Sequence, residues 1–144
     1  MRFRPYAEFA PDFPDDSVWD GDDNVVFGGR GVAEAIAAML VRLGYEASAP
    51  REEQPYGWQF DVRSGRDHVQ LQVTDLGDHF IFVSRDKSSL GRRLFGASRS
   101  WHAAMLGALS GELKADPRFG KMHWYVLENH RPVGFPAEDP VDAG

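Results

Sequence analysis

GWQFDVRSGRDHVQLQVTDLGDHFIFVSR, residues 57–85, is the stretch on which the fold turns. Trp58, Phe60 and Val62 alternate with Gln59, Asp61 and Arg63. Alternation of this kind, bounded by turn residues, marks a half-buried strand. Ser64-Gly65-Arg66-Asp67 closes a tight hairpin, because glycine accepts the positive φ that such turns require. The next run repeats the pattern, with Val69, Leu71 and Val73 inward and His68, Gln70, Gln72 and Thr74 outward. With Ser64 opposite Asp67, Val62 pairs with Val69, Phe60 with Leu71 and Trp58 with Val73. A slip of one residue would turn every apolar side chain to the wrong face, so the pattern itself specifies the register. A second turn, Asp75-Leu76-Gly77-Asp78, leads to a third strand, His79–Arg85. Placing Thr74 opposite His79 puts Phe80 beside Val73 and Phe82 beside Leu71.

The outward face is uneven. The first two strands show Gln59, Asp61, Arg63, Gln70, Gln72 and Thr74, whereas the third shows Ile81 and Val83. A strand apolar on both faces is normally covered on both. The segment Asp86–Ala97 supplies Leu90, Leu94 and Phe95 as a cover, with Lys87, Arg92 and Arg93 left in water.

Helices flank this meander. Val32, Ile36, Met39, Leu40 and Leu43 recur on one helical face, and Gly44 follows as the terminating residue. A second helix runs from a Ser98 or Ser100 cap to about Ala115, with Trp101, Met105, Ala108, Leu109 and Leu113 on its apolar face. Asp116-Pro117 ends it. Val25–Phe27 and Tyr45–Ser48 read as short strands, and Lys121–Leu127 as a last one. The fold class is α+β: a two-layer sandwich with a mainly antiparallel sheet of about four to five strands and two helices packed on one face.

The 144-residue chain suits one domain. Residues 1–24 form an irregular acidic arm whose rings (Phe3, Tyr6, Phe9, Phe13, Trp19) pack onto the domain at 25–128, and residues 129–144 form a loose tail. There is no cysteine, which excludes disulfides, thiolate metal sites and cysteine nucleophiles. No secretory signal is visible at the N-terminus, and no apolar run approaches the roughly 18 residues of a membrane span, so a cytoplasmic protein is expected. Arginine outnumbers lysine 13 to 3, a bias common in GC-rich bacteria. The net charge of −6 is segregated. Seven acids face two arginines in residues 1–24, while Arg85, Lys87, Arg92, Arg93 and Arg99 face only Asp86 in 85–99. An acidic total argues against nucleic-acid binding.

The motifs that suggest chemistry fail on inspection. An EF-hand loop begun at Asp20 needs Gly at its sixth and Glu at its twelfth position, where Val25 and Gly31 stand. Gly28-Gly29-Arg30-Gly31 lacks the Walker lysine and the spaced glycines of a dinucleotide site. Glu52 and Glu53 point apart in an extended loop. The five histidines lack metal spacing, His102 reads as a helix-boundary residue, and no G-x-S-x-G elbow is present. No catalytic residue, cofactor or metal ligand is assigned.

Two functions remain. The first is a small non-catalytic protein-interaction module, immunity-protein-like or chaperone-like, monomeric or homodimeric, with another protein as partner and neither nucleic acid nor membrane. Its contact residues are Asp15, Asp16, Asp22 and Asp23 on the acidic arm and Arg92 and Arg93 on the basic segment. The second is a small-ligand-binding domain or enzyme with its site on the polar sheet face, over Gln59, Gln70, Gln72, His68 and His79.

Overall fold

The structure, a computed structural model, describes residues 3–142. In chain order its elements are β1 (Tyr6–Phe9), β2 (Val18–Asp20), β3 (Asp23–Val26), α1 (Arg30–Arg42), β4 (Glu46–Ala47), β5 (Arg51–Glu53), β6 (Gly57–Ser64), β7 (Asp67–Asp75), β8 (Phe80–Asp86), α2 (Leu90–Leu94), α3 (Ala97–Ala115), β9 (His123–Glu128) and β10 (Arg131–Ala137). The first hairpin has the register its alternation specifies: Trp58 faces Val73, Phe60 faces Leu71, Val62 faces Val69 and Ser64 faces Asp67. The second hairpin differs from the expected one by two residues. Asp75 faces Phe80 and Thr74 faces Ile81, so Val73 lies beside Phe82 rather than Phe80. The loop is Leu76–His79, closed by the Leu76 N–H donating to the His79 carbonyl at 2.9 Å. An even shift leaves each side chain on its own face, because the strand period is two.

The sheet is larger than expected. It has eight strands, all antiparallel, in the order β10-β9-β1-β8-β7-β6-β4, with β5 alongside β4 on the same edge of β6. Part of the supposed irregular arm supplies a central strand: β1 lies between β8 and β9, with Tyr6 opposite both Val83 and Tyr125. Part of the supposed loose tail supplies β10, which pairs with β9. Pro132 and Pro136 fall on that outer strand, where a missing N–H breaks no ladder on its open side. β2 and β3 form a separate two-stranded hairpin.

α1 and α3 bury Val32, Ile36, Met39, Leu40, Met105, Leu106, Leu109 and Leu113 in one cluster with Trp58, Phe60, Leu71, Phe82 and Trp124 of the sheet. Each such fully buried side chain contributes roughly 2 kcal/mol of transfer free energy. α1 ends in a Schellman arrangement, with Gly44 at φ 97° and the Tyr45 N–H donating to the Leu40 carbonyl at 2.9 Å. The cap expected of Ser98 or Ser100 is instead Gly96, at φ 75°. Ser98 is buried within the first turn of α3, and Ala108 is exposed beside the apolar stripe rather than part of it. α2 is a third helix, absent from the two-helix expectation.

Candidate functional site

On the polar sheet face, Gln59 and Gln72 are paired with the chain's own residues. Gln59 Nε2 donates to Gln72 Oε1 at 2.9 Å, and Gln72 Nε2 donates to Thr74 Oγ1 at 3.1 Å. Thr74 Oγ1 donates in turn to the Tyr56 carbonyl at 2.6 Å, and Arg85 Nη1 to Gln72 Oε1 at 3.2 Å. His68 Nε2 lies 2.8 Å from Asp61 Oδ1, while Arg51 Nη1 donates to Asp61 Oδ2 at 2.8 Å. Burial pushes the Asp61 carboxyl up, but contacts from His68 and Arg51 outweigh it and hold the group below its ordinary value. Gln70 is half-buried opposite Asp61 and Arg85. His79 is not brought to this cluster; it sits in the Leu76–His79 loop with Nδ1 2.7 Å from Asp78 Oδ1. None of Gln59, Gln70, Gln72, His68 and His79 lines the cavities described below.

The acidic residues divide between two uses. The Asp16 carboxylate accepts the N–H groups of Gly29 and Gly31 at 2.8 Å each, capping α1 from thirteen residues away. The anion position offered by this glycine-rich helix start is thus filled by the chain itself. A Cβ on Gly28 would lie 2.3 Å from an Asp75 carboxylate oxygen, so a larger residue there would displace the Asp75 side chain. Asp15 accepts the Ser17 hydroxyl at 2.6 Å and the Ser17 N–H at 2.9 Å, contacts that hold its carboxyl below the ordinary value. These segments border a cavity of about 580 Å³ between Pro11–Ser17 and the β7–β8 turn. Asp22 and Asp23, by contrast, are exposed at the tip of the β2–β3 hairpin and make no ion pair among the described residues. Trp19 on the same hairpin is 58% exposed.

α2 is held to the domain by its polar side. The Arg92 guanidinium donates to both carboxylate oxygens of Asp67 at 2.8–3.0 Å. Ser88 Oγ accepts the His68 N–H at 2.9 Å, and Ser89 caps the helix by accepting the Arg92 N–H at 3.4 Å. The expected cover over Ile81 and Val83 does not form. Leu90, Leu94 and Phe95 are 62%, 71% and 89% exposed, and Val83 is sheltered beside Tyr6 in the sheet instead. Arg92, named from sequence as a contact residue, is engaged with Asp67, whereas Arg93 is exposed. Arg93 lines a groove of about 400 Å³ with Arg85, Lys87 and His130, and Asp86 is the carboxylate among its lining residues. Arg85, Lys87, Arg93 and Arg99 make no ion pair among the described residues.

One buried pair escaped the sequence reading. His102 is not a boundary residue but 3% exposed, with Nε2 2.7 Å from Ser84 Oγ and its ring edge-on to Phe3 at 4.7 Å. Burial lowers its pKa to about 4, against an upward pull from Asp86. Ser84 Oγ donates to the Pro5 carbonyl at 3.2 Å, and a cavity of about 300 Å³ reaches the pair. A hydrolytic dyad needs an accessible hydroxyl and a base whose pKa lies near the working pH. Ser84 is 2% exposed with its hydroxyl donating to Pro5, and burial holds the His102 pKa down, so the arrangement meets neither requirement. No signal in the sequence links Ser84 to His102, because the β8–α3 contact that joins them is tertiary.

Protein-family models, curated proteins and solved structures return no match. Among the described residues, no group of three metal-ligating side chains converges and no helix is long and apolar enough to cross a membrane.

Proposed function

We propose that this chain is a non-catalytic protein-interaction module whose docking face is α2. The observation that carries the reading is the orientation of that helix. Arg92 points inward to Asp67 and the preceding Ser88 accepts from His68, while Leu90, Leu94 and Phe95 face solvent together with Arg93. Burying each of these against a partner contributes about 1.5–3 kcal/mol. An exposed apolar helix that carries the exposed Arg93 and is flanked in the chain by the exposed cations Lys87 and Arg99 has the composition of a specific interface, and its complement is an acidic protein surface with an apolar middle. Immunity proteins and secretion chaperones are modules of this general kind. The polar sheet face is the weaker candidate, since Gln59 and Gln72 are already paired with each other and Gln72 also with Thr74 and Arg85.

The test is affinity capture from native lysate at low and high salt, using the wild type and Leu94→Asp/Phe95→Asp. The expected result is a stoichiometric partner that is released by salt and missed by the variant. A partner retained equally by the variant would place the docking face elsewhere.

A further inference from the structure

We infer that the α2 face receives a second copy of this chain, through the β2–β3 hairpin of that copy. The inference rests on the reading of α2 as a docking face and names its occupant. Residues 12–29 carry six aspartates and no lysine, arginine or histidine. Within that acidic stretch Val18, Trp19 and Val25 are 49%, 58% and 48% exposed. Val18 and Trp19 are successive residues of β2 and face opposite sides, so the hairpin carries exposed apolar side chains on both faces behind an acidic tip. The charge of that tip is opposite to that of the exposed Arg93 on α2 and of the exposed Lys87 and Arg99 flanking α2 in the chain. Asp22 and Asp23 at its tip have no intrachain partner among the described residues, and neither do Lys87 and Arg93 beside the groove at α2.

The two surfaces cannot meet within one molecule. Trp19 and Asn24 share a cavity with Asp75 and Phe80 at one end of β8, and α2 follows the other end at Asp86. Seven extended residues separate these ends by about 20 Å. Contact between them is consequently head-to-tail between copies, a heterologous association. Each patch is small, so the contact is weak, salt-sensitive and driven by concentration.

Sedimentation velocity of the purified full chain tests this, from about 10 μM to about 1 mM protein and at about 50 mM and 500 mM salt. The expected mass rises with concentration to at least twice 16.1 kDa at low salt and returns to the monomer at high salt. Asp22→Arg/Asp23→Arg and Lys87→Glu/Arg93→Glu are each expected to be monomeric, because like charges then face one another. Their equimolar mixture is expected to associate again, because the swapped charges are complementary. These positions are exposed, and circular dichroism confirms that each variant is folded. A wild type that stays monomeric throughout, or a mixture that stays monomeric, overturns the inference. If Leu94→Asp/Phe95→Asp still abolishes lysate capture in that event, the α2 face stands and only its occupant is wrong. If it changes neither measurement, both fall.

Discussion

Arg92 and Asp67, one on the exposed helix α2 and the other at the start of β7, form a two-pronged ion pair in which the Asp67 side chain is only 8% exposed. This pair orients α2. With Arg92 drawn inward, the residues two before and two after it on the short helix, Leu90 and Leu94, are left on the solvent side. Arg92→Ala leaves a nearly buried carboxylate without its cation. Its expected cost is about 1–3 kcal/mol, tempered by the partial exposure of Arg92. Urea unfolding of Arg92→Ala, Asp67→Ala and the double variant measures it. The coupling energy should be favourable, and the double variant less damaged than the two single losses added.

The Asp16 cap makes a different prediction. Asp16→Ala removes acceptors from two helix-start N–H groups and should cost about 1–2 kcal/mol. Asp22→Ala, on an exposed side chain with no hydrogen bond or ion pair among the described residues, should change stability by less than about 0.5 kcal/mol. Thermal melts of the two variants side by side separate capping from a general effect of removing negative charge.

His102 gives the fold an acid limit. Its pKa falls from 6.5 to about 4 on burial, so the unfolded chain binds the extra proton between these values and the folded one does not. Stability from this group is therefore fully present above pH 6.5, declines as pH drops through the interval, and levels off below about 4. The whole decline is worth about 3 kcal/mol. Urea midpoints measured from pH 7.5 to 4 should show it. His102→Leu should flatten this part of the profile even if its stability at pH 7.5 is lower. An unchanged slope in that variant would assign the acid sensitivity to other groups.

Gly57 and Gly65 bracket strand β6 and both have positive φ, 114° and 57°. A Cβ on Gly57 would lie 2.3 Å from the Val73 carbonyl oxygen, which is sheet backbone and cannot move aside. A Cβ on Gly65 would meet open space. Gly57→Ala should cost more than about 3 kcal/mol or prevent folding, whereas Gly65→Ala should cost only about 1 kcal/mol of backbone strain. Comparing their soluble yield and melting temperature checks the difference.

Much of the sheet's centre is legible from residues 57–75, because strict alternation leaves one register that buries Trp58, Phe60 and Val62 together. The β7–β8 register is legible only to within an even shift. Alternation distinguishes faces, not the choice between two loops of equal parity, and the Leu76–His79 hydrogen bond makes that choice. β1 is hard to read for another reason. Tyr6–Phe9 is too short to show a convincing period, and both of its pairing partners, Val83 and Tyr125, lie far along the chain. The candidate surfaces were half visible. The charge segregation was plain, but which charges are already engaged was not: Asp16 is spent on Gly29 and Gly31 and Arg92 on Asp67, leaving Asp22, Asp23 and Arg93.

By itself the sequence determined the class of the fold, the antiparallel hairpin at its centre, the two core helices and the separation of acidic from basic segments. These are local properties, set by periodicity, turn residues and composition. Tertiary structure alone decided that Tyr6–Phe9 completes the sheet, that Gln59 pairs with Gln72, and that α2 turns its leucines and Phe95 to solvent. An amphipathic pattern says that two faces differ. Which one turns inward depends on the partners that the rest of the chain supplies, and here Asp67 draws Arg92 inward.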